Sequence, residues 1–214
     1  MFRIRIQNKK KCIWYCSAVV SFLLFLLLLG WTNHLANTQD AQQMAGRWSE
    51  KKDVAQISCF FSSKAEVTED TIQSFEYSLK NVLQEASITE TSENPSARLW
   101  VDAYSADGKI TLVNGKNTLD ANAIGIGGDF FMFHPLKLIT GAYFSGNDLM
   151  QDYCIIDQDA AWQLFGSNDV VGMTVYIGNV PHIVTGVVQR PDSRMDKAAG
   201  LNSTVVYVSY ETLS

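Results

Sequence analysis

Three histidines, four cysteines and a short acidic run are the residues with which this chain could do chemistry. The histidines are His34, His134 and His182, and none has a second His, Cys or carboxylate at metal-ligand spacing within its own segment. Isolated histidines of this kind are expected to be structural or simply exposed. An extracytoplasmic enzyme would have to be built on His134 and His182. Cys59 lies in the apolar stretch VAQISCFFSS without the local signature of a thiol nucleophile. Burial there would disfavour the thiolate that such chemistry needs. No G-x-S-x-G turn offers an activated serine.

Asp148, Asp152, Asp157 and Asp159 cluster, but not at the spacing of a calcium loop, and helix capping accounts for Asp157 and Asp159. The run GIGG at residues 125–128 resembles a phosphate cradle in composition only. Phe130 stands where a dinucleotide fingerprint needs glycine, and Gly115-Lys116 is followed by Asn and lacks the glycine that should precede it. The expectation is therefore no catalytic residue, no cofactor and no metal site. The substrate-binding residues and the bound substance are left unspecified.

The elements around these residues say more. Residues 1–11 carry Arg3, Arg5, Lys9, Lys10 and Lys11 and no acid. Of the 17 basic residues, 12 remain for the rest of the chain against 22 acids, a net of −10, so the body has no general attraction for nucleic acid. Residues 13–31, IWYCSAVVSFLLFLLLLGW, hold no charge and are long enough to cross most of a bilayer. Trp14, Tyr15 and Trp31 stand at the two interfaces. The run exceeds the apolar core of a cleaved signal peptide. The next basic residue is Arg47, so the positive-inside rule places the N-terminus in the cytoplasm and the remainder outside the cell membrane.

The expected division is a basic cytoplasmic head at 1–12, a single transmembrane helix at 13–31, a stalk at 32–53 and an extracytoplasmic domain at 54–214. Cys12 and Cys16 fall at or in the span. Cys59 and Cys154 lie outside it, either as a disulfide, which that compartment permits, or as two buried thiols. Residues 54–63 read as a strand. Thr68 caps a helix whose apolar face is Ile72, Phe75, Leu79, Val82, Leu83 and Ala86. Residues 99–126 read as a β-rich subdomain with turns at Asp107-Gly108 and Asn114-Gly115. Residues 153–156 form a short buried strand, and Asp157 caps a helix that Gly166 stops. Two strands then pair across Gly178-Asn179, and a last strand covers residues 203–210. Asn202-Ser203-Thr204 is a glycosylation sequon of use only in a eukaryotic secretory setting. The fold class is α+β, an N-terminal transmembrane helix followed by a mixed α+β extracytoplasmic domain with a β-rich insertion.

Three stretches together, GDFFMFHPLKLITGAYFS, YCIIDQDAAWQLFGSNDVVGMTVYIGNVPHIVTGVV and STVVYVSYETL, resemble the MacB-like periplasmic core domain. This domain belongs to permeases of ABC-type export and lipoprotein-handling systems, the MacB and FtsX relatives. The matching features are Phe130-Phe131, the G-aromatic-F turn at residues 141–144 and the short helix ending in LFG at 164–166. They continue with the D-x-x-G bend at 169–172, the hairpin ending in GV and the late strand at 206–213. That strand has Ser209 where the family usually has proline.

The family motif is structural, so the resemblance carries over no active-site residue. It implies the membrane-anchor and extracytoplasmic part of a permease that couples a cytoplasmic ABC ATPase subunit to export or other extracytoplasmic work. Its partners would be that ATPase, the lipid bilayer, and a second copy in a homodimer or another permease. The chain would be a fragment of a longer permease or a single-span relative. The alternative is a free-standing membrane-anchored binding or sensor module without transport activity. Phe130, Phe131, Phe133, Tyr143 and Phe144 are candidates for a contact patch or for core.

Overall fold

The computed structural model describes residues 2–37, 43–49, 54–89, 98–146, 148–190 and 203–213. Parts of the expected stalk and the sequon asparagine lie outside these residues. The chain divides into two compact units, Met1–Gln56 and Ile57–Ser214.

The first unit is dominated by α1, Phe2–Asn37, followed by the short α2, Met44–Trp48. Its stretch Lys11–Leu35 is the one helix among the described residues that is long and apolar enough to cross a membrane. Every described side chain of that stretch is exposed, as a lipid-facing helix requires.

The second unit holds α3, Glu69–Glu85, then the long hairpin β1, Ala103–Asn114, and β2, Asn117–Gly128. After α4, Phe130–Phe133, come β3, Leu138–Gly141, β4, Tyr153–Asp157, and α5, Gln158–Phe165. Then follow β5, Thr174–Ile177, β6, Val180–Val188, β7, Val205–Ser209, and a 3-10 turn, Tyr210–Leu213. The strands form one sheet in the order β3-β6-β4-β7-β2-β1-β5, and β5 also pairs with β6. The pairings therefore run β1–β2–β7–β4–β6–β5 and return to β1. Two neighbours are parallel, β2 with β7 and β4 with β6, and the rest are antiparallel.

Strand alternation sorts the core onto two faces. Cys154, Ile156, Val206, Val208 and Val187 join Ala160, Ala161 and Leu164 of α5 in one cluster. Ile155, Val188 and Ile126 point the other way, to Phe130, Phe131 and Phe144, with Tyr207 packed beside them. Strand β4 is buried on both faces, which is why it reads as the unbroken apolar run YCII.

Several expectations hold in detail. Thr68 Oγ1 accepts the Thr71 amide at 3.3 Å and starts α3. Gly115, at φ +60°, supplies the positive-φ position of the two-residue loop between β1 and β2, and Lys116 does not need one. Gly178, at φ +59°, turns β5 into β6. Gly166 ends α5 in the left-handed region at φ +74°.

Others are corrected. Residues 54–62 form no strand: they pair with no strand among the described residues, and Phe60 is 96% exposed. Apolar, β-branched composition favours a strand only where a partner edge is available. Asp107-Gly108 is not a turn but lies inside β1, opposite Ile124 and Ala123. Gly108 is small for a different reason: a Cβ there would come within 3.1 Å of the Leu213 side chain. The stretch 99–126 is β-rich as expected, and it is continuous with the main sheet through the β2–β7 pairing. The apolar face of α3 is only half covered, and the helix has no buried residue.

One carboxylate joins the elements of this sheet. Asp157 is 2% exposed. Its Oδ1 accepts the Ala160 amide at 2.7 Å and caps α5. Its Oδ2 accepts from the Val205 amide at 3.1 Å, and from Arg190 Nη2 at 2.6 Å and Nε at 3.0 Å. Arg190 also reaches Asp159 Oδ2 at 2.7 Å and Thr204 Oγ1 at 3.0 Å. The far end of α5 is tied as well, since Asn114 and Asn117 donate to the Leu164 carbonyl at 3.3 and 2.9 Å.

Breaking a buried pair from one side leaves an uncompensated charge. Asp157→Ala should lower unfolding free energy by about 3–5 kcal/mol in urea titration, and Asp157→Asn, which keeps an acceptor for the cap, by less. Gly141 sits at φ +86°, where a Cβ would lie 2.1 Å from the Thr185 carbonyl oxygen. Gly141→Ala should cost about 2 kcal/mol or more in the same titration. An unchanged midpoint for either alanine variant would refute the corresponding assignment.

Candidate functional site

The side chains singled out for chemistry are dispersed by the fold. His34 is exposed on α1. His134 is exposed and stacks on Phe130 with ring centroids 4.6 Å apart. His182 is buried, with Nδ1 3.1 Å from the Val180 carbonyl and Nε2 3.3 Å from Thr212 Oγ1, so it ties β6 to the C-terminal turn. Cys59 and Cys154 are both free. Cys154 is fully enclosed, and burial pushes its thiol up to about 12, away from nucleophile chemistry. Cys59 is exposed, which corrects its expected burial and places it outside the core.

Three of the acids near α5 also find structural partners, whereas the enclosed Asp152 Oδ1 has none among the described residues. Asp148 Oδ2 accepts the Ser145 amide at 2.9 Å, while Asp157 and Asp159 share Arg190. Among the described residues no group of three His, Cys, Asp or Glu side chains converges as a metal site. The run GIGG is the end of β2, not a loop. A Cβ on Gly127 would overlap the Tyr104 ring at 2.1 Å, and one on Gly125 would meet Leu213 at 2.9 Å. Those glycines make room for side chains of this chain.

The aromatic residues are mostly core. Phe131 stacks on Tyr143 at 4.5 Å and meets Phe144 and Tyr207 edge-on at 5.8 and 5.9 Å. The bend at Gly141 delivers Tyr143 and Phe144 to α4, and the Tyr143 hydroxyl bonds to the backbone of Leu136. Burial pushes the Tyr207 hydroxyl up to about 12, with the nearby charge of Asp157 acting in the same direction. The G-aromatic-F turn is thus a packing device.

One group of ionisable side chains was not anticipated. Glu69 and Glu76, two turns apart on α3, face Asp102 and Tyr104 at the start of β1. The Tyr104 hydroxyl donates to Glu69 Oε1 at 3.2 Å and is itself held above its usual range, first by burial and then by the charge of Glu69. Burial, then the charge and hydrogen-bonding contact of Asp102, push the Glu76 carboxyl up to about 7. The seven-residue spacing of the two glutamates was visible in the sequence. Their partners, roughly thirty positions further on, were not. The polar side chains of this unit hold its elements together, and its exposed apolar groups, among them Ile57, Phe60, Phe61, Phe75 and Val82, lie on the arm before α3 and on α3 itself.

The family described as MacB-like periplasmic core domain matches residues 20–214. The macrolide export ATP-binding/permease protein MacB of Chromobacterium violaceum is 33% identical over 96 residues, which cover 44% of this chain and 14% of that protein. MacB of Pasteurella multocida is 30% identical over 98 residues, covering 45% and 14%. The MacB protein of a Shewanella species is 31% identical over 120 residues, covering 54% and 18%. The matched stretch is therefore less than a fifth of each relative's length. Among solved structures, the periplasmic region of MacB from Actinobacillus actinomycetemcomitans aligns at 26% identity with a TM-score of 0.42, covering 55% of this chain and 52% of that one. Since the family match takes in 195 of the 214 residues, the last half of α1 and the whole sheet with it, this chain belongs to the MacB-like periplasmic core domain family.

Proposed function

We propose that the chain is the membrane-anchor and extracytoplasmic part of an ABC transporter permease, coupling a cytoplasmic ATPase to export or to work outside the membrane. The observation that carries this is the continuity of the family match from residue 20, inside the apolar helix, to residue 214. The relatives' names pair an ATP-binding function with a permease. In this reading the ATP-hydrolysing partner is a cytoplasmic ABC ATPase.

The basic head at 1–12 favours a cytoplasmic N-terminus, with the span at 13–31, the stalk at 32–53 and the core at 54–214 following outward. A second copy in a homodimer or another permease chain would be its partner within the membrane. A free-standing sensor module remains the alternative for a chain with one candidate span among its described residues.

Two measurements test this. Purified in nanodiscs from its native host, the chain should bring down an ATPase subunit, whereas a stoichiometric, partnerless preparation would favour the sensor module. In a variant whose native cysteines have been replaced, a cysteine introduced at Ser145 should react with a membrane-impermeant maleimide in intact cells. Reaction only after permeabilisation would reverse the orientation and remove the permease reading.

A further inference from the structure

The ring of strand pairings has one long gap. Strand β1 meets β5 only at Leu112 and Val113. From Ala103 to Thr111, its edge away from β2 pairs with no strand among the described residues. The hairpin is closed by the Asn114–Asn117 pair. Counted from there, the amides and carbonyls of Ser105, Asp107, Lys109 and Thr111 point to the open side, as those of Val113 do where it meets Tyr176. These four residues are exposed. Such an edge is a template for a further strand.

The same chain holds a segment of strand composition without an edge. Residues 57–62, ISCFFS, carry no charge, and every one of them is exposed, Phe60 at 96% and Phe61 at 68%. They end close to the open edge of β1. Tyr210 donates to the Val67 carbonyl at 3.0 Å and packs edge-on against Tyr104 at 5.2 Å. Yet the segment does not pair with its own β1. The 3-10 turn Ser63–Ala65 and Glu66, at φ +45°, set its direction instead.

We propose that two copies of the chain exchange these segments, residues 57–62 of each adding as a strand to the open edge of β1 in the other. Area favours reciprocal exchange over capture of a single foreign strand. An aromatic side chain buries about 150–250 Å². At the exposures above, the four phenylalanine rings of two arms would bury about 500–800 Å² and cover a similar area of the receiving edges. That total reaches the range of a specific interface, roughly 1,200–2,000 Å². One arm on one edge gives half of it and falls short. Charge agrees, since the segment is neutral and Asp107 and Lys109 on the receiving edge carry opposite signs. The exchange rests on the second copy of the permease reading and not on the ATPase, so its failure would leave coupling to an ATPase untouched.

Photocrosslinking of the full chain in proteoliposomes tests it. One copy carries p-benzoylphenylalanine in place of Phe60, and a differently tagged copy does not. Irradiation should join the two copies, with the adduct mapping to residues 103–111 of the second. Lys109→Pro in that receiving copy removes an outward amide and should lower the yield by about tenfold or more. Should the proline disturb β1 itself, Phe60→Asp gives an independent reading, because that side chain is almost wholly exposed. Amide exchange at Ser105, Asp107 and Lys109 should then quicken by about tenfold or more, while β4 and β7 stay protected. An adduct within one chain, an adduct at another surface or no adduct would overturn the exchange. So would an unchanged yield with the proline or unchanged amide exchange with the aspartate.

Discussion

The sheet is organised around one buried negative charge. The Asp157 carboxylate ends β4, caps α5, accepts the first amide of β7 and pairs with Arg190 just beyond β6. An ionised carboxylate in such a place is tolerable only because its oxygens accept four hydrogen bonds, two of them from a guanidinium. Those bonds come from three separate stretches of chain. The carboxylate therefore fixes the register of β4, the entry angle of α5 and the start of β7 together. Specificity of arrangement, more than net stability, is what such a group contributes.

Around that point the apolar residues finish the structure. Strand β4 lies between β6 and β7 and is buried on both faces, so its side chains serve two clusters at once. The aromatic cluster on one face depends on the bend at Gly141, which only a residue without a Cβ can make against the Thr185 carbonyl. The cluster on the other face is covered by α5, held at one end by Asp157 and at the other by two asparagines of the hairpin. A sheet whose pairings return to their start has few free backbone groups to spend on chemistry. Its residues are occupied with one another.

Helix α3 and the arm before it contrast with this. Many of their large apolar side chains are exposed, and the side-chain tie from α3 to β1 is the Tyr104–Glu69 hydrogen bond. Weak apolar cover makes the helix responsive to small electrostatic changes, because little else opposes them. The same chain thus carries a densely paired sheet and a loosely attached helix.

Local features were legible in the sequence wherever the cause was local. The apolar span, the caps at Thr68 and Asp157, the stop at Gly166 and the turns at Gly115 and Gly178 follow from side-chain length, hydrogen-bonding capacity and backbone sterics within a few residues. The family resemblance was legible too, because its motif is a string of such local signals. What tertiary structure decided was every question of partnership. Residues 54–62 have the composition of a strand yet find no edge, and Asp107-Gly108 has the composition of a turn yet is held straight by β2. Arg190 and Asp157 are 33 positions apart, and Tyr104 and Glu69 are 35. Contacts at that separation depend on loop closure and on which faces are left to cover, and neither is written in the residues that meet.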